Sequence, residues 1–256
     1  MTQVRATATI IALNESDNIA DCVASVSFFD EVLVIDSGST DGTRALAESV
    51  GARVLENPWP GYGQQKQFAL ENASHDWIFS LDADERVSPE LRASITGLLE
   101  GRPDAQGYVI NRRNHFMGRA LRHGEGYPDW CLRLFNRQSG HWTLDPVHER
   151  VDLKGKVDRL EGDLDHFSEG SLEEYLQKQN QYTTLQARQL YARGRRFSMF
   201  KLTTSPIVRF FKFYIFRLGF LDGIPGLVHI SIGCFNSFCK YAKLRELQNN
   251  PPPSCR

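Results

Sequence analysis

Over residues 7–99, apolar runs of strand length alternate with segments of helical periodicity, and three of the runs end abruptly in a polar cluster. Residues 7–13 lead into Asn14-Glu15-Ser16-Asp17-Asn18. Residues 31–35 lead into Asp36-Ser37-Gly38-Ser39-Thr40-Asp41-Gly42-Thr43, and residues 77–81 into Asp82-Ala83-Asp84-Glu85. Between the runs, Ile19, Cys22, Val23 and Val26 recur at helical spacing, as do Ala45, Leu46 and Val50. Residues 64–73 and 89–99 read as two more helices, with a short strand at 53–55. Such alternation predicts an α/β fold with a largely parallel sheet covered on both faces. Ligands of such sheets bind beyond the carboxyl ends of the strands, so the three polar clusters are expected on one rim.

After Gly101 the rhythm changes. Strands are expected at 108–110 and 132–135, separated by a long loop with Gly118, Gly124, Gly126 and Pro128. Histidines, aromatics and arginines crowd this stretch, among them His115, His123, Trp130 and Arg133. Residues 147–151 form a short strand-like piece holding His148 and Glu149, Asp165-His166 follows, and a helix is expected over 172–191.

The net charge of −1 hides an asymmetry: from Arg188 onward there are twelve Lys+Arg against Asp222 and Glu246, leaving eighteen basic and twenty-nine acidic residues before it. A basic tail of this kind is expected to meet an anionic surface. Five cysteines without a C-x-x-C pair indicate neither a disulfide framework nor a zinc site, which suits a reducing cytosol. The short apolar run near the N-terminus ends in Asn14-Glu15, so no signal peptide is expected. Residues 251–256, with three prolines, read as a disordered end.

In a strand, residues i and i+2 point the same way, so Asp82 and Asp84 are expected to project together. Two adjacent carboxylates repel unless a cation or proton lies between them, and a hard divalent ion with oxygen ligands meets that need. The plain alternative is a strand running into a solvated acidic turn. For Asp36 and Asp41 the plain alternative is turn and helix-cap chemistry.

Three ordered motifs resemble the signatures of family 2 glycosyltransferases: Ile10-Ile11-Ala12-Leu13-Asn14-Glu15, then Val34 to Thr43, then Ser80-Leu81-Asp82-Ala83-Asp84. The resemblance covers about residues 5–170 and implies an inverting, metal-dependent enzyme with the GT-A nucleotide-sugar-binding fold. Four further stretches are similar to bacterial lipopolysaccharide core β-glucosyltransferases. These are Gly61 to Leu70, Trp130-Cys131-Leu132-Arg133-Leu134-Phe135, Val147-His148-Glu149-Arg150 and Gly219-Phe220-Leu221-Asp222-Gly223.

The resemblance implies that Asp84 ligates Mg²⁺ or Mn²⁺, with Asp82 on the ribose or on the metal through water, and His166 as a further ligand. It implies that Asp36 meets the uracil edge and that Asn14 and Glu15 line the nucleotide. Lys66 and Arg133 are candidates to neutralise the diphosphate. Inversion needs a base for the acceptor hydroxyl. Glu149 is the first candidate, with Asp129 and Asp145 behind it, because the Glu-Asp pair of many family members is missing here.

The tail is dense in Phe, Tyr and aliphatic residues at 207–216 and again at 227–239, with Arg209, Lys212 and Arg217 interspersed. Its uncharged run, 223–239, falls short of the roughly 20 residues of a spanning helix. Basic amphipathic helices lying in an anionic membrane interface fit better, the alternative being a helical subdomain that covers the core. The aromatics sit in apolar runs, so no nucleic acid is expected.

The expectation is therefore a glycosyltransferase domain over 1–170 and a membrane-associating helical region over 171–250. It moves glucose or a similar sugar from a UDP-sugar to a lipid-anchored glycan at the cytoplasmic face of a bacterial inner membrane. Alternatives are a polyprenyl phosphate or other envelope glycan as acceptor, or a catalytically silent scaffold on the same fold. A dinucleotide oxidoreductase is disfavoured, since the first strand-to-helix turn has no glycine fingerprint. A haloacid-dehalogenase-type phosphatase would want Thr or Val where Arg86 stands.

Overall fold

The structure is a computed structural model, and it describes residues 4–143, 149–167 and 171–250. In chain order it comprises β1 (Ala6–Ala12), α1 (Ile19–Ser25), β2 (Glu31–Asp36), α2 (Thr43–Ser49), β3 (Arg53–Glu56), α3 (Tyr62–Asn72), β4 (Trp77–Asp82), β5 (Glu85–Val87) and α4 (Pro89–Glu100). There follow β6 (Gly107–Phe116), β7 (Arg119–Ala120), β8 (Asp129–Asn136), β9 (Gly140–Trp142), β10 (Val151–Leu153) and β11 (Val157–His166). The chain then becomes helical: α5 (Leu172–Ala192), α6 (Met199–Phe210), a π-helical turn (Phe211–Phe216), a 3-10 turn (Gly219–Asp222) and α7 (Gly223–Asn249).

Two compact units result. The first takes residues 1–113 and 129–167, the second 114–128 and 168–256.

In the first unit the strand order is β3-β2-β1-β4-β8-β6-β11-β5. The first four strands are parallel, while β8 runs antiparallel to β4 and to β6. Alternate residues face opposite layers: Ile10, Val34 and Phe79 enter one apolar cluster with α1 and α4, and Leu33, Ile35 and Ile78 enter the other with α3. Burial on both faces explains why these strands read as unbroken apolar runs. Each such side chain removed from water contributes about 1.5–3 kcal/mol.

The register levels the strand ends. Ala12 lies opposite Asp36 and Ile11 opposite Asp82, so β2, β1 and β4 finish within one residue of each other. The polar clusters that follow them do share a rim.

Strands β5, β7, β9 and β11 were not foreseeable from periodicity, and β11 matters most. Only Leu160 and Leu164 are buried along it, with Gly162 between them. Gly162 has φ +95°, and a Cβ there would lie 2.3 Å from the backbone nitrogen of Leu91. The missing side chain lets β11 press against the start of α4, whose N-cap Ser88 also accepts from the amide of Asp163.

In the second unit α5, α6 and α7 pack together, with Phe116, Leu121 and Tyr175 forming a small core. Segment 114–128 belongs to this unit although the sequence places it inside the first 170 residues. Besides that small core, Asp222 holds it there: nearly inaccessible, its Oδ2 accepts from the amides of Arg122 and His123 and its Oδ1 lies 3.0 Å from His123 Nδ1. The motif Gly219 to Gly223 is thus a tether for that loop. Among the described residues no single helix is long and apolar enough to cross a membrane; α6 with its π turn and the segment Gly219–Asn249 meet at 73°.

Candidate active site

The rim is stitched by its own loops. Asn14, with φ +55°, accepts the amide of Thr40 on Oδ1, and its own amide donates to Ser39 Oγ. The amide of Glu15 donates to Thr43 Oγ1, and the side chain of Asn18 donates to Glu15 Oε2. Asp41 accepts from the amides of Ser16 and Thr43 and from the Thr43 hydroxyl. These bonds hold its carboxyl down at about 2, the Thr43 hydroxyl first among them. Asp41 is thus engaged in turn hydrogen bonds between the two loops.

Asp36 closes β2 and is fully buried. Its Oδ2 accepts from the amides of Gly38 and Ser39, each at 3.0 Å, while Oδ1 has no hydrogen-bond partner among the described residues. An unsatisfied buried oxygen costs about 1–3 kcal/mol, so a ligand N–H is the natural complement.

The extended strand expected to project Asp82 and Asp84 together ends at the first of them. β4 stops at Asp82, Asp84 lies in the turn before β5, and the two acids take different partners. Asp82 Oδ1 lies 3.1 Å from Lys66 Nζ, and Oδ2 lies 3.2 Å from Arg133 Nη2. The first contact is an ion pair without aligned hydrogen-bond geometry, since Oδ1 is otherwise unsatisfied. Burial pushes the Asp82 carboxyl up, but the Lys66 and Arg133 charges outweigh it and hold the group far below the usual carboxylate range.

The carboxylate that does meet Asp82 is Glu85, which the sequence left without a role. Fully buried, it accepts the amide of Asp82 at 2.9 Å and takes Arg133 Nη2 at 2.5 Å. Burial raises its carboxyl, with Asp82 adding to the rise and Arg133 opposing it. Its signal in the sequence was only its place as the third acid of the run.

Asp84 is reached from the far end of the chain. β11 pairs antiparallel with β5, which sets His166 opposite Glu85, and the amide of Phe167 donates to the carbonyl of Asp84. His166 Nε2 then lies 3.4 Å from Asp84 Oδ2, while Asp84 Oδ1 is buried with no hydrogen-bond partner among the described residues.

Lys66 is carried on the first turns of α3, its ammonium 5.0 Å from the ring of Trp142. Besides Asp82 it reaches Glu149 Oε1 at 3.4 Å. Asp129 stands at the start of β8, opposite Arg112, whose guanidinium donates twice to its Oδ2. Asp145 lies outside the described residues.

No group of three or more His, Cys, Asp or Glu residues able to hold a metal converges among the described residues. Asp84 and His166 nonetheless fit a divalent cation. One offers a buried, unsatisfied carboxylate oxygen and the other an imidazole nitrogen, a donor set suited to such ions. The charge balance agrees. Asp82, Asp84, Glu85 and Glu149 face Lys66, Arg133 and a histidine, so these groups carry more carboxylates than fixed cations.

The model of glycosyl transferase family 2 matches residues 7–202. The chain is 35% identical over 245 residues to the lipopolysaccharide core biosynthesis glycosyltransferase LpsC of Rhizobium meliloti, covering 93% of this chain and 90% of that one. It is 36% identical over 249 residues to an uncharacterized glycosyltransferase of Rickettsia felis, covering 93% and 88%. Among solved structures it is similar to glucosyl-3-phosphoglycerate synthase from Mycobacterium tuberculosis in complex with Mn²⁺, UDP and phosphoglyceric acid. That likeness has 28% identity over 45% of this chain and 44% of the other, with a TM-score of 0.36.

Proposed function

The chain belongs to glycosyl transferase family 2 and is a glycosyltransferase of the GT-A fold; from that premise we propose that it moves a hexosyl group, glucose first among candidates, from a UDP-sugar to a lipid-linked glycan of the lipopolysaccharide core. The observation that carries this reading is the pair of buried, unpartnered oxygens, Asp36 Oδ1 and Asp84 Oδ1, on one rim of the sheet. The likeness to LpsC along nearly its whole length supports the class of acceptor. Such an acceptor sits in a bacterial membrane, and the cytoplasmic face is the side on which a UDP-sugar would be met.

Asp36 Oδ1 accepts the N3–H of uracil, a group that only an acceptor aimed at the base edge can satisfy. Asn14 and Glu15, in the loop after β1, are tied to the Asp36 turn through Ser39, Thr40 and Thr43 and would line the nucleotide beside it. Asp84 and His166 would hold the divalent cation, Mg²⁺ or Mn²⁺, with Asp82 at its edge; when bound, the cation supplies Lewis-acid stabilisation to the departing diphosphate. Lys66 and Arg133 keep Asp82 ionised.

Glu149 takes the proton of the acceptor hydroxyl. Its carboxylate is partly exposed, and Lys66 steers one oxygen and leaves the other to the acceptor. Asp129 is the poorer base, because two guanidinium bonds already occupy its Oδ2.

The test is a panel of nucleotide sugars incubated with the purified chain, with Mn²⁺ or with a chelator, read as UDP release and as transfer to lipopolysaccharide truncated in its core. UDP-glucose is expected to turn over only with the cation. Glu149→Gln should keep UDP binding by calorimetry and lose about 10²–10⁴-fold in turnover. Turnover of purine nucleotide sugars alone would overturn the role of Asp36, and full turnover in chelator the role of Asp84.

A further inference from the structure

The second unit carries an apolar surface for which the rim chemistry has no use. Along α7 the buried positions are Gly226, Ile230, Gly233, Ser237 and Leu244, while Ile224, Leu227, Phe235 and Phe238 form an exposed stripe at helical spacing. On α6 and its π turn the matching stripe is Phe200, Ile207, Phe211 and Ile215, ending at Phe216. Phe200 is 74% exposed, Phe216 80% and Ile224 71%, fractions that no soluble surface needs. A contiguous apolar face of this extent marks a site of association.

The two stripes meet at a corner. The chain turns through 73° where Leu218 adopts a left-handed φ of +57°. The turn gathers Phe216, Leu218, Phe220, Leu221 and Ile224 within nine residues. Beside them stand Lys212 and Arg217, both exposed and both lying over the ring of Phe213 at 5.1 and 5.9 Å, with no ion-pair partner among the described residues. Lys201, one stripe position from Phe200, is likewise exposed and unpaired among the described residues.

We propose that this elbow is a wedge that seats in the headgroup–acyl boundary of an anionic bilayer. Phe216 and Ile224 enter the acyl region, and Lys212 and Arg217 meet lipid phosphates. An apolar body with cations at its margin is the composition that binds such an interface. The opposite face of α7 is buried against protein, so the helix has one apolar side to offer and lies in the surface instead of crossing it. A second copy of the chain is a poor occupant, because two such corners would bring like charges together. The inference rests on the proposed lipid-linked acceptor only for its purpose; its surface argument stands alone.

The experiment is flotation of the full chain with vesicles of phosphatidylcholine, pure or mixed with phosphatidylglycerol. Binding is expected to the mixed vesicles, to weaken with salt, and to be marginal to pure phosphatidylcholine. The double change Phe216→Ser with Ile224→Ser should cut binding by about tenfold or more, in line with the loss of two buried apolar side chains. Lys212→Gln with Arg217→Gln should remove most of the preference for the anionic lipid. All four positions are exposed, and an unchanged circular dichroism spectrum and unchanged UDP-sugar hydrolysis in solution would show that the variants fold.

Wild-type binding by the Phe216/Ile224 pair, or equal binding to both vesicle types, overturns the proposal. So does a dimer in solution that the same pair disperses while the wild type ignores vesicles. Vesicle binding is read without turnover, and hydrolysis without vesicles, so failure of the wedge and failure of the transferase reading are distinguishable.

Discussion

The rim of the first unit and the exposed helical surface of the second treat charge in opposite ways. In the first, the buried cations are matched: Arg133 with Asp82 and Glu85, Lys66 with Asp82 and Glu149, Arg113 with Asp163 and Asp165. In the second, Lys201, Lys212 and Arg217 stand in solvent beside exposed aromatic and aliphatic side chains. A buried charge must be paired or it destabilises the fold, so pairing in the first unit fixes the positions of the acids on the rim. An exposed charge contributes little to folding and remains available to something outside the molecule. The rim is therefore a site set in advance, whereas the helical surface is completed by what it meets.

The sharpest way to break that contrast is Arg133→Met. The change leaves Glu85 buried with one cationic partner fewer and Asp82 with Lys66 alone. Removing one member of a buried pair costs about 3–5 kcal/mol, which urea unfolding would register as a large fall in midpoint. Adding Glu85→Gln to the variant should recover much of the loss. A cost below about 1 kcal/mol would mean that the pairing does not hold the rim.

A smaller effect separates the units by pH. His229 on α7 packs with the rings of Phe116 and Tyr175 at 5.3 and 5.9 Å. Burial, then the nearby Arg209, push its imidazole down to about 4, with Asp222 opposing. Between the ordinary value of 6.5 and about 4 the unfolded chain binds the proton and the folded one does not. Stability of the second unit should accordingly fall as pH drops through that window, by roughly 3 kcal/mol at most. Asp82 behaves otherwise: its depressed carboxyl contributes stability above the ordinary carboxylate range and loses it only at much lower pH. His229→Gln should flatten the loss between pH 6.5 and 4, measured as the urea midpoint of helical signal. An unchanged slope would show that His229 is not the group responsible.

The same contrast explains what could be read from the chain. The parallel half of the sheet and its rim were legible because β1, β2 and β4 are buried on both faces and end in polar turns. Asp36, Asp82 and Asp84 could be located in this way without coordinates. The partners of those acids could not. His166 reaches Asp84 through the pairing of β11 with β5, one strand with only two buried apolar side chains and the other only three residues long. Glu85 and Arg133 lie 48 positions apart and meet only because β8 folds back along β4. The grouping of 114–128 with the C-terminal helices rests on the Phe116, Leu121 and Tyr175 cluster and on buried Asp222, contacts about 60 to 100 positions apart in the chain that no local pattern announces.

The mildest test bears on how firmly the rim is set. Asp41 is exposed, yet it bonds Ser16 on one loop and Thr43 on the next, so it ties the end of β1 to the start of α2. Asp41→Ala should cost about 1 kcal/mol, the usual net worth of such hydrogen bonds. Because the Asp41 carboxyl is held at about 2 against an ordinary 3.8, its contribution is present above 3.8 and lost as pH falls toward 2. The difference between wild type and variant should therefore shrink across that interval, followed by urea unfolding of the two proteins side by side. If the loop of Asn14 and Glu15 lines the nucleotide, the variant should also weaken UDP binding while leaving vesicle binding untouched. Equal losses in both would mean that the loop tie stabilises the whole chain rather than the rim.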